Sequence, residues 1–289
     1  MKIAIVTDSN SGITQKEAQE LNITIIPMPF LIDGEEYFED ITLTQDEFYQ
    51  KLQQNADVST SQPSIFAVGE IWDKLLQTND AVLHIPMSSG LSASMDTARK
   101  YAEQYNGRVV VVNNQRISVT QKQSVFDAIK LAKEGKTAEQ IKEILEKEAL
   151  QSSIYIMVTT LKYLKKGGRL TPVVAALGSL LKIKPVLQIQ GEKLDKFCQV
   201  LTSAQGKKRM IDQVIADINN RFSDLLKQGK LEIAMAYTNC KEKCMEFKEE
   251  AEKQLAPYGL HINMVDPLSL SVSAHIGDGA LAIACAIKH

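Results

Sequence analysis

The stretch "KIAIVTDSNSG", residues 2–12, is the first indication of the fold class. Residues 2–8 form an apolar run rich in β-branched side chains, which is typical of a strand buried on both faces. Two similar runs, "AVLHIPM" and "RVVVVNN", occupy residues 81–87 and 108–114. Strands of this kind separated by helical segments indicate βαβ units, and therefore a parallel sheet that helices cover on both sides.

Helix starts between these strands can be read from capping boxes. Thr44 is followed by Glu47, and Thr137 by Gln140, so each threonine hydroxyl and each third side chain can satisfy the other's backbone donor. We therefore predict helices over about 45–54 and 138–150. Strands and helices together predict an N-terminal parallel-sheet α/β/α domain over residues 1–152.

The pattern changes after residue 152. "SIYIMVTT", residues 153–160, predicts a strand, and residues 181–200 predict a strand pair that turns at Gly191-Glu192. Amphipathic helices are predicted over 203–228 and 239–256. These elements indicate a C-terminal mixed-sheet α/β domain over residues 153–289. Because no Pro-rich linker separates the domains, we expect them to pack closely and to hold a ligand between them.

Composition excludes several classes of protein. A chain of 289 residues with 44% apolar and 24% charged residues is long enough for two globular domains. A net charge of -2 gives no overall electrostatic footprint for nucleic acid, and no nucleic-acid partner is predicted. The N-terminus becomes polar after six residues and no apolar run approaches membrane-spanning length. We therefore expect a cytoplasmic protein.

The four cysteines are too few for a disulfide framework and are expected to be reduced thiols. Cys240 and Cys244 could share a helix face, but two ligands make a weak case for a metal. Packing is the favoured interpretation, because free cysteine behaves as a small buried hydrophobe. No metal site is predicted.

Three hydroxyl-rich stretches from distant parts of the chain point to a binding site: "TDSNSG" at 7–12, "STSQPS" at 59–64 and "PMSSGLSAS" at 86–94. Two of them follow predicted strands, where ligands of open parallel sheets bind. Each stretch alone could simply cap a helix. Together they predict one neutral pocket rich in hydrogen-bond donors.

Sequence motifs restrict the ligand of that pocket. Neither a GxGxxG nor a GxxxxGK[ST] motif occurs, which argues against dinucleotide and P-loop phosphate binding. "GLSAS" is similar to the GxSxG nucleophile elbow but lacks its second glycine, so a hydrolase stays open only as an alternative.

The chain resembles the DegV family over essentially its whole length. The resemblance rests on an ordered set of motifs: "DSNSGI", "TSQPS", "SSGLSAS", "GGRLT", "LLKIKPVL" and "AHIGDGAL". It implies a non-enzymatic carrier without a cofactor, which binds a long-chain fatty acid between two α/β domains. It further implies that the carrier presents the carboxyl group to a separate fatty acid kinase, in bacterial phospholipid metabolism, with at most transient membrane-surface contact.

The same resemblance assigns roles to individual residues. Thr60 and Ser92 would hydrogen-bond the fatty acid carboxyl group, while Arg169 and His275 would lie near the pocket mouth and serve the hand-over to the kinase. The residues implied in supporting loops are Asp8, Ser9, Ser61, Gln62, Ser88, Ser89, Gly90 and Gly277.

The chain departs from the family pattern in two places. Gly12 stands where an acidic residue is common in the opening motif. After the third strand, the usual Asp-Ser and Ser-x-Gly-x-Gly are replaced by a different set: Asn113, Asn114, Ser118, Thr120 and Lys122. These substitutions concern the local shape of the cavity.

An enzyme is the alternative from a different functional class. It would act on a small carbonyl or phosphorylated substrate, with His275 as nucleophile or base. Its basis is a fold-level similarity to the substrate domain of dihydroxyacetone kinases, which is an analogy and no more.

Overall fold

The computed structural model describes residues 1–169, 171 and 183–289. In its first half the elements are β1 (Ile3–Asp8), α1 (Gln15–Leu21), β2 (Thr24–Ile26), β3 (Phe30–Ile32), β4 (Glu35–Tyr37), α2 (Gln45–Gln53), β5 (Val58–Thr60), α3 (Ile65–Leu76), β6 (Ala81–Ile85), α4 (Ser94–Ala102), β7 (Val109–Val111), α5 (Ser118–Lys133) and α6 (Ala138–Lys147). In its second half they are β8 (Ser152–Met157), α7 (Lys162–Gly167), β9 (Lys184–Ile189), β10 (Leu194–Val200), α8 (Ser203–Asn220), α9 (Ser223–Lys227), β11 (Leu231–Tyr237), α10 (Lys241–Leu255), β12 (Ile262–Pro267), α11 (Leu270–Ile276) and β13 (Leu281–Ile287).

A four-stranded parallel sheet with the order β2-β1-β6-β7 forms the centre of the first half. Ile3 of β1 lies opposite Ala81 of β6. Side chains alternate between its faces, since Ile5 packs with residues of α5 and α6, while Val6 packs with Trp72 of α3. Helices therefore cover both faces, which confirms the predicted parallel α/β/α architecture.

The predicted capping boxes start their helices. Thr44 accepts from the backbone of Glu47 at the start of α2, and Thr137 accepts from that of Gln140 at the start of α6; both return bonds are present.

A small antiparallel sheet with the order β4-β3-β5 was not predicted. Its hairpin turns at Asp33-Gly34, where φ is 52° and 88°, as a two-residue type I′ turn requires. The Asp-Gly pair was the sequence signal for this hairpin, but its strands are only three residues long. The sheet matters for the site because β5 ends at Thr60.

The second half contains a mixed six-stranded sheet with the order β10-β9-β8-β13-β11-β12. Only β11 and β12 are paired in parallel; the other neighbours are antiparallel. This confirms the predicted mixed-sheet α/β half. We propose that the domains comprise residues 1–152 and 153–289; the first strand of the mixed sheet, β8, begins at Ser152, one residue before that boundary.

The two faces of this mixed sheet differ in the size of their side chains. On one face Met235 and Ile283 pack against α8 and α10. On the other face the central strands carry small residues: Ala234, Ala236, Ala282 and Ala284. This second face is covered by residues of the N-terminal half, among them Met28 and Met87. Small side chains on a face covered by another unit leave open space between the two.

Some predicted boundaries were wrong. The helix expected over 203–228 is two helices, because the chain breaks at Arg221 and Phe222 between α8 and α9. The strand pair turns at Gly191-Glu192 as predicted, but residues 181 and 182 of the predicted first strand lie outside the described residues, as do Leu170 of "GGRLT" and Leu180 of "LLKIKPVL". In the described part of the chain no helix is long and apolar enough to cross a membrane.

Lys122 of α5 ties the two halves together. Its side chain is 4% exposed, and its Nζ donates to Glu17 at 2.8 Å and to Asp266 of β12 at 2.9 Å. Burial opposes the charge, but the two carboxylates outweigh burial and raise the pKa of Lys122.

We predict that Lys122→Ala lowers the free energy of unfolding by about 2 kcal/mol, because it leaves two carboxylates without their shared cation. Arg99→Ala is the matched control, since Arg99 pairs with Asp96 at a site where both side chains are more than half exposed; its loss should be below about 0.5 kcal/mol. Urea unfolding measures both. Equal losses in the two variants would contradict a tie through Lys122.

Candidate functional site

A largely apolar cavity lies between the alanine face of the mixed sheet and the N-terminal half. The described residues around it include apolar side chains from both halves: Met28, Met87, Leu91, Ile117, Val119, Ile154, Ile156, Leu164, Ile189, Leu194, Ala236, Leu268, Val272, Ile276 and Ala282. Apolar groups fit such walls, because the wall side chains offer dispersion contact without requiring a hydrogen bond.

The cavity has a polar end, at which β5 meets α11. Thr60 Oγ1 and His275 Nε2 are hydrogen-bonded at 2.8 Å. Among the described residues no group bonds the buried Nδ1 of His275. Nε2 is thus used to fix the imidazole, while Nδ1 lies against Gly167 and has no hydrogen-bond partner among the described residues.

His275 is held in its neutral form. Burial, and then the positive charge of Arg169, lowers the pKa of His275 to about 4. Gly167 packs directly against the imidazole, where an added Cβ would collide with Nδ1. The ring therefore sits in a closely fitted slot, uncharged at neutral pH.

Arg169 and Ser92 close the same end of the cavity. Arg169 donates through Nη1 to Gly167 O at 2.5 Å and through Nε to Leu91 O at 3.4 Å, so it bridges α7 and the loop after β6. Ser92 Oγ donates to Ser94 Oγ at 3.0 Å and accepts from Ser94 N at 3.2 Å, next to the start of α4.

The structure divides the sequence-predicted site residues into two sets. Those that line the cavity are Thr60, Ser61, Gln62, Ser92, Arg169 and His275. Those that do not line it are Asp8, Ser9, Ser88, Ser89, Gly90 and Gly277.

The second set shapes the loops that carry the first. Asp8 accepts from Met87 N at 2.8 Å and so joins the loops after β1 and β6; burial raises its pKa despite that bond. Ser9 accepts from Met28 N at 3.0 Å. Ser88 donates to Glu192 O at 2.8 Å, which ties the loop after β6 to the β9-β10 turn.

Gly90 and Gly277 act through close packing, and Ser89 acts through a hydrogen bond. Gly90 faces the backbone of Glu192 with no room for a side chain. Gly277 ends α11 at φ 80° against the ring of Tyr163, so both its conformation and its surroundings require glycine. Ser89 accepts from Asn113 Nδ2 at 3.1 Å.

Sequence reasoning missed the cavity walls and three buried polar side chains within them: Asn10, Ser118 and Ser271. Ser118 was noted only as a departure from the family pattern. Strand alternation carried a partial signal for the walls, because Ala234, Ala236, Ala282 and Ala284 occupy alternate positions and face one side. Which side faced the other half could not be read from one sequence.

Comparison with known proteins identifies relatives along the full length. The profile of a family described as "Uncharacterised protein, DegV family" matches residues 2–288. A DegV domain-containing protein of Streptococcus pneumoniae serotype 4 is 31% identical over 286 residues, which cover 98% of this chain and 97% of the relative.

Solved structures share the fold. DegV of Bacillus subtilis, described as a fatty acid binding protein, has a TM-score of 0.85 at 27% identity and is covered completely, as is this chain. A DegV family protein of Thermus thermophilus, described by its fatty acid binding, has a TM-score of 0.85 at 26% identity, with 99% of this chain and 100% of that one covered. Because the profile and the relative both span nearly the whole sequence, the chain belongs to the DegV family.

Proposed function

We propose that this protein binds a long-chain fatty acid in the cavity between its halves and presents the carboxyl group to a separate fatty acid kinase, which forms the acyl phosphate. The observation that carries the proposal is the cavity itself: apolar walls that end at the Thr60–His275 pair. Fatty acid binding by the family members from Bacillus subtilis and Thermus thermophilus supports the same ligand.

The walls and the polar end have different tasks. Each buried CH₂ contributes about 0.8 kcal/mol, so about a dozen give on the order of 10 kcal/mol before the costs of binding. A neutral hydrogen bond contributes about 1 kcal/mol. The tail therefore supplies affinity, while Thr60, Ser92 and His275 orient the carboxyl group toward the mouth.

Neutral donors suit a ligand that must be handed over. Hydroxyl groups can donate to a carboxylate or accept from a protonated acid, without the strong ion pair of a buried lysine. Arg169 lies at the mouth, where its planar guanidinium could meet the phosphate of the product or the kinase. The proposal places the protein in the bacterial cytoplasm, in phospholipid metabolism, with at most transient membrane-surface contact.

The alternative enzyme would use His275 as nucleophile or base. In the part of the chain that the structure describes, Nδ1 of His275 has no carboxylate partner to orient and activate it. A pKa of about 4 also makes His275 a weak base. Both observations favour the carrier.

We expect solvent extraction of the purified protein to release a long-chain acid, measured by mass spectrometry at close to one per chain. The same preparation should hydrolyse neither esters nor phosphate esters without a partner. Partner-free turnover that His275→Ala abolishes would favour the enzyme instead.

The double variant Thr60→Ala, Ser92→Ala should bind fatty acid at least tenfold more weakly, since each hydroxyl contributes about 1 kcal/mol, or roughly fivefold. Ser64→Ala is the matched control, because Ser64 lies in the same "STSQPS" stretch, makes no capping bond and does not line the cavity. Titration of delipidated protein measures both. Equal affinities in the double variant and the control would refute the assignment.

Arg169→Ala should keep its bound lipid while acyl-phosphate formation with a fatty acid kinase and ATP slows by at least tenfold. The reason is that the substitution leaves the apolar walls intact and removes a cation at the mouth. Lipid content by extraction and product formation are measured on the same samples. A proportional loss of lipid and of product would place Arg169 in the binding pocket rather than on the hand-over surface.

A further inference from the structure

The apolar wall of the cavity contains a polar patch formed by Asn10, Ser118 and Ser271. These residues are only 2%, 7% and 6% exposed. They come from three elements: the 3-10 turn Ser9–Ser11 after β1, the first residue of α5, and α11. Both helices pack against the 3-10 turn, and Ser271 Oγ donates to Asn10 Oδ1 at 2.6 Å.

The patch lies beside the acyl chain rather than at the carboxyl group. Ser271 precedes His275 by four residues on α11, so the two side chains share a helix face and are about 6 Å apart along the axis. Ser271 is thus about one helical turn further into the cavity than the polar end.

Part of the hydrogen-bonding capacity of the patch is unused or only weakly used. The Ser118 hydroxyl bonds to none of the described residues. Asn10 Nδ2 donates to the sulfur of Met87 at 3.0 Å and also interacts with the Asp8 carboxylate. Its bond to Met87 is weak, because a thioether is a poor acceptor. Ser118 is also held at φ 55°, a conformation that residues other than glycine rarely adopt.

The start of α5 adds a second source of donors. Ile117 occupies its N-cap position and supplies no side-chain oxygen. The first backbone N–H groups of this 16-residue helix are therefore uncapped, and the helix dipole favours an electronegative atom next to them. Ile117, Ser118 and Val119 all line the cavity.

We propose that the preferred ligand is a hydroxy fatty acid, whose chain hydroxyl occupies this patch. The hydroxyl oxygen accepts from Asn10 Nδ2 and from the start of α5, and its hydrogen bonds the Ser118 oxygen. This inference rests on the proposed fatty acid binding and names the class of acid that the site selects.

Selection operates in both directions. A plain acyl chain leaves the Ser118 hydroxyl buried against methylenes. A chain hydroxyl in a purely apolar tunnel would itself lack a partner, whereas here it finds one. Sites built to bond a hydroxyl reject the analogue without it much more strongly than apolar pockets discriminate by size.

The test compares delipidated protein binding stearic acid with its binding of a positional series of monohydroxystearic acids. We expect one isomer or a few adjacent ones to bind roughly tenfold more tightly than stearic acid. In Ser118→Gly and in Asn10→Leu the ratio of the two dissociation constants should fall to about one. Glycine removes the hydroxyl and tolerates the positive φ, so this variant keeps the test valid if Asn10→Leu does not fold.

Val119→Ala is the matched control, because Val119 lines the same cavity and adds only apolar contact. It should weaken stearic and hydroxystearic acids alike and keep their ratio. Tight stearic acid binding with weaker binding of every hydroxystearic acid would overturn this inference and leave the proposed function standing; the patch would then hold an ordered water. A preference that survives in both folded variants would also overturn it. Binding of neither acid would overturn the proposed function as well.

Discussion

The packing of the N-terminal half against the alanine face of the mixed sheet governs how the two halves and the cavity between them are arranged. Both faces of the mixed sheet are apolar and need cover, and helices α8 and α10 cover one of them, which carries large side chains. The N-terminal half covers the other face. The side chains there are short at four positions: Ala234, Ala236, Ala282 and Ala284. The cavity lies where these two units meet, and Ala236 and Ala282 are part of its wall.

One end of that cavity is built from pieces that the fold brings together from remote parts of the chain. The short antiparallel sheet delivers Thr60, α11 delivers His275, and α7 with the following loop delivers Arg169. Gly167 permits the imidazole to sit close to α7, and neutral His275 then bonds Thr60. Each contact is modest, but together they place the Thr60 and His275 side chains at one end of the cavity.

The start of α5 has two structural roles. Thr120 donates to Ile117 O at 2.9 Å, two residues before Lys122 extends toward Glu17 and Asp266. The same turn places Ser118 in the cavity wall. One short segment therefore contributes to the cavity wall and ties the halves together.

The sequence alone determined the elements whose signals are local: the β-branched strands β1, β6 and β7, the capped helices α2 and α6, and the parallel and mixed sheets that these imply. Ordered motifs also pointed to Thr60, Ser92, Arg169 and His275, which line one cavity, although their roles stay predictions. Three features could be seen only in the tertiary structure. The alanine face packs against the N-terminal half, the three-residue strands form a sheet, and Asn10, Ser118 and Ser271 converge. The physical reason is that side-chain periodicity reports which residues share a face, whereas the partner of that face depends on long-range packing of the whole chain.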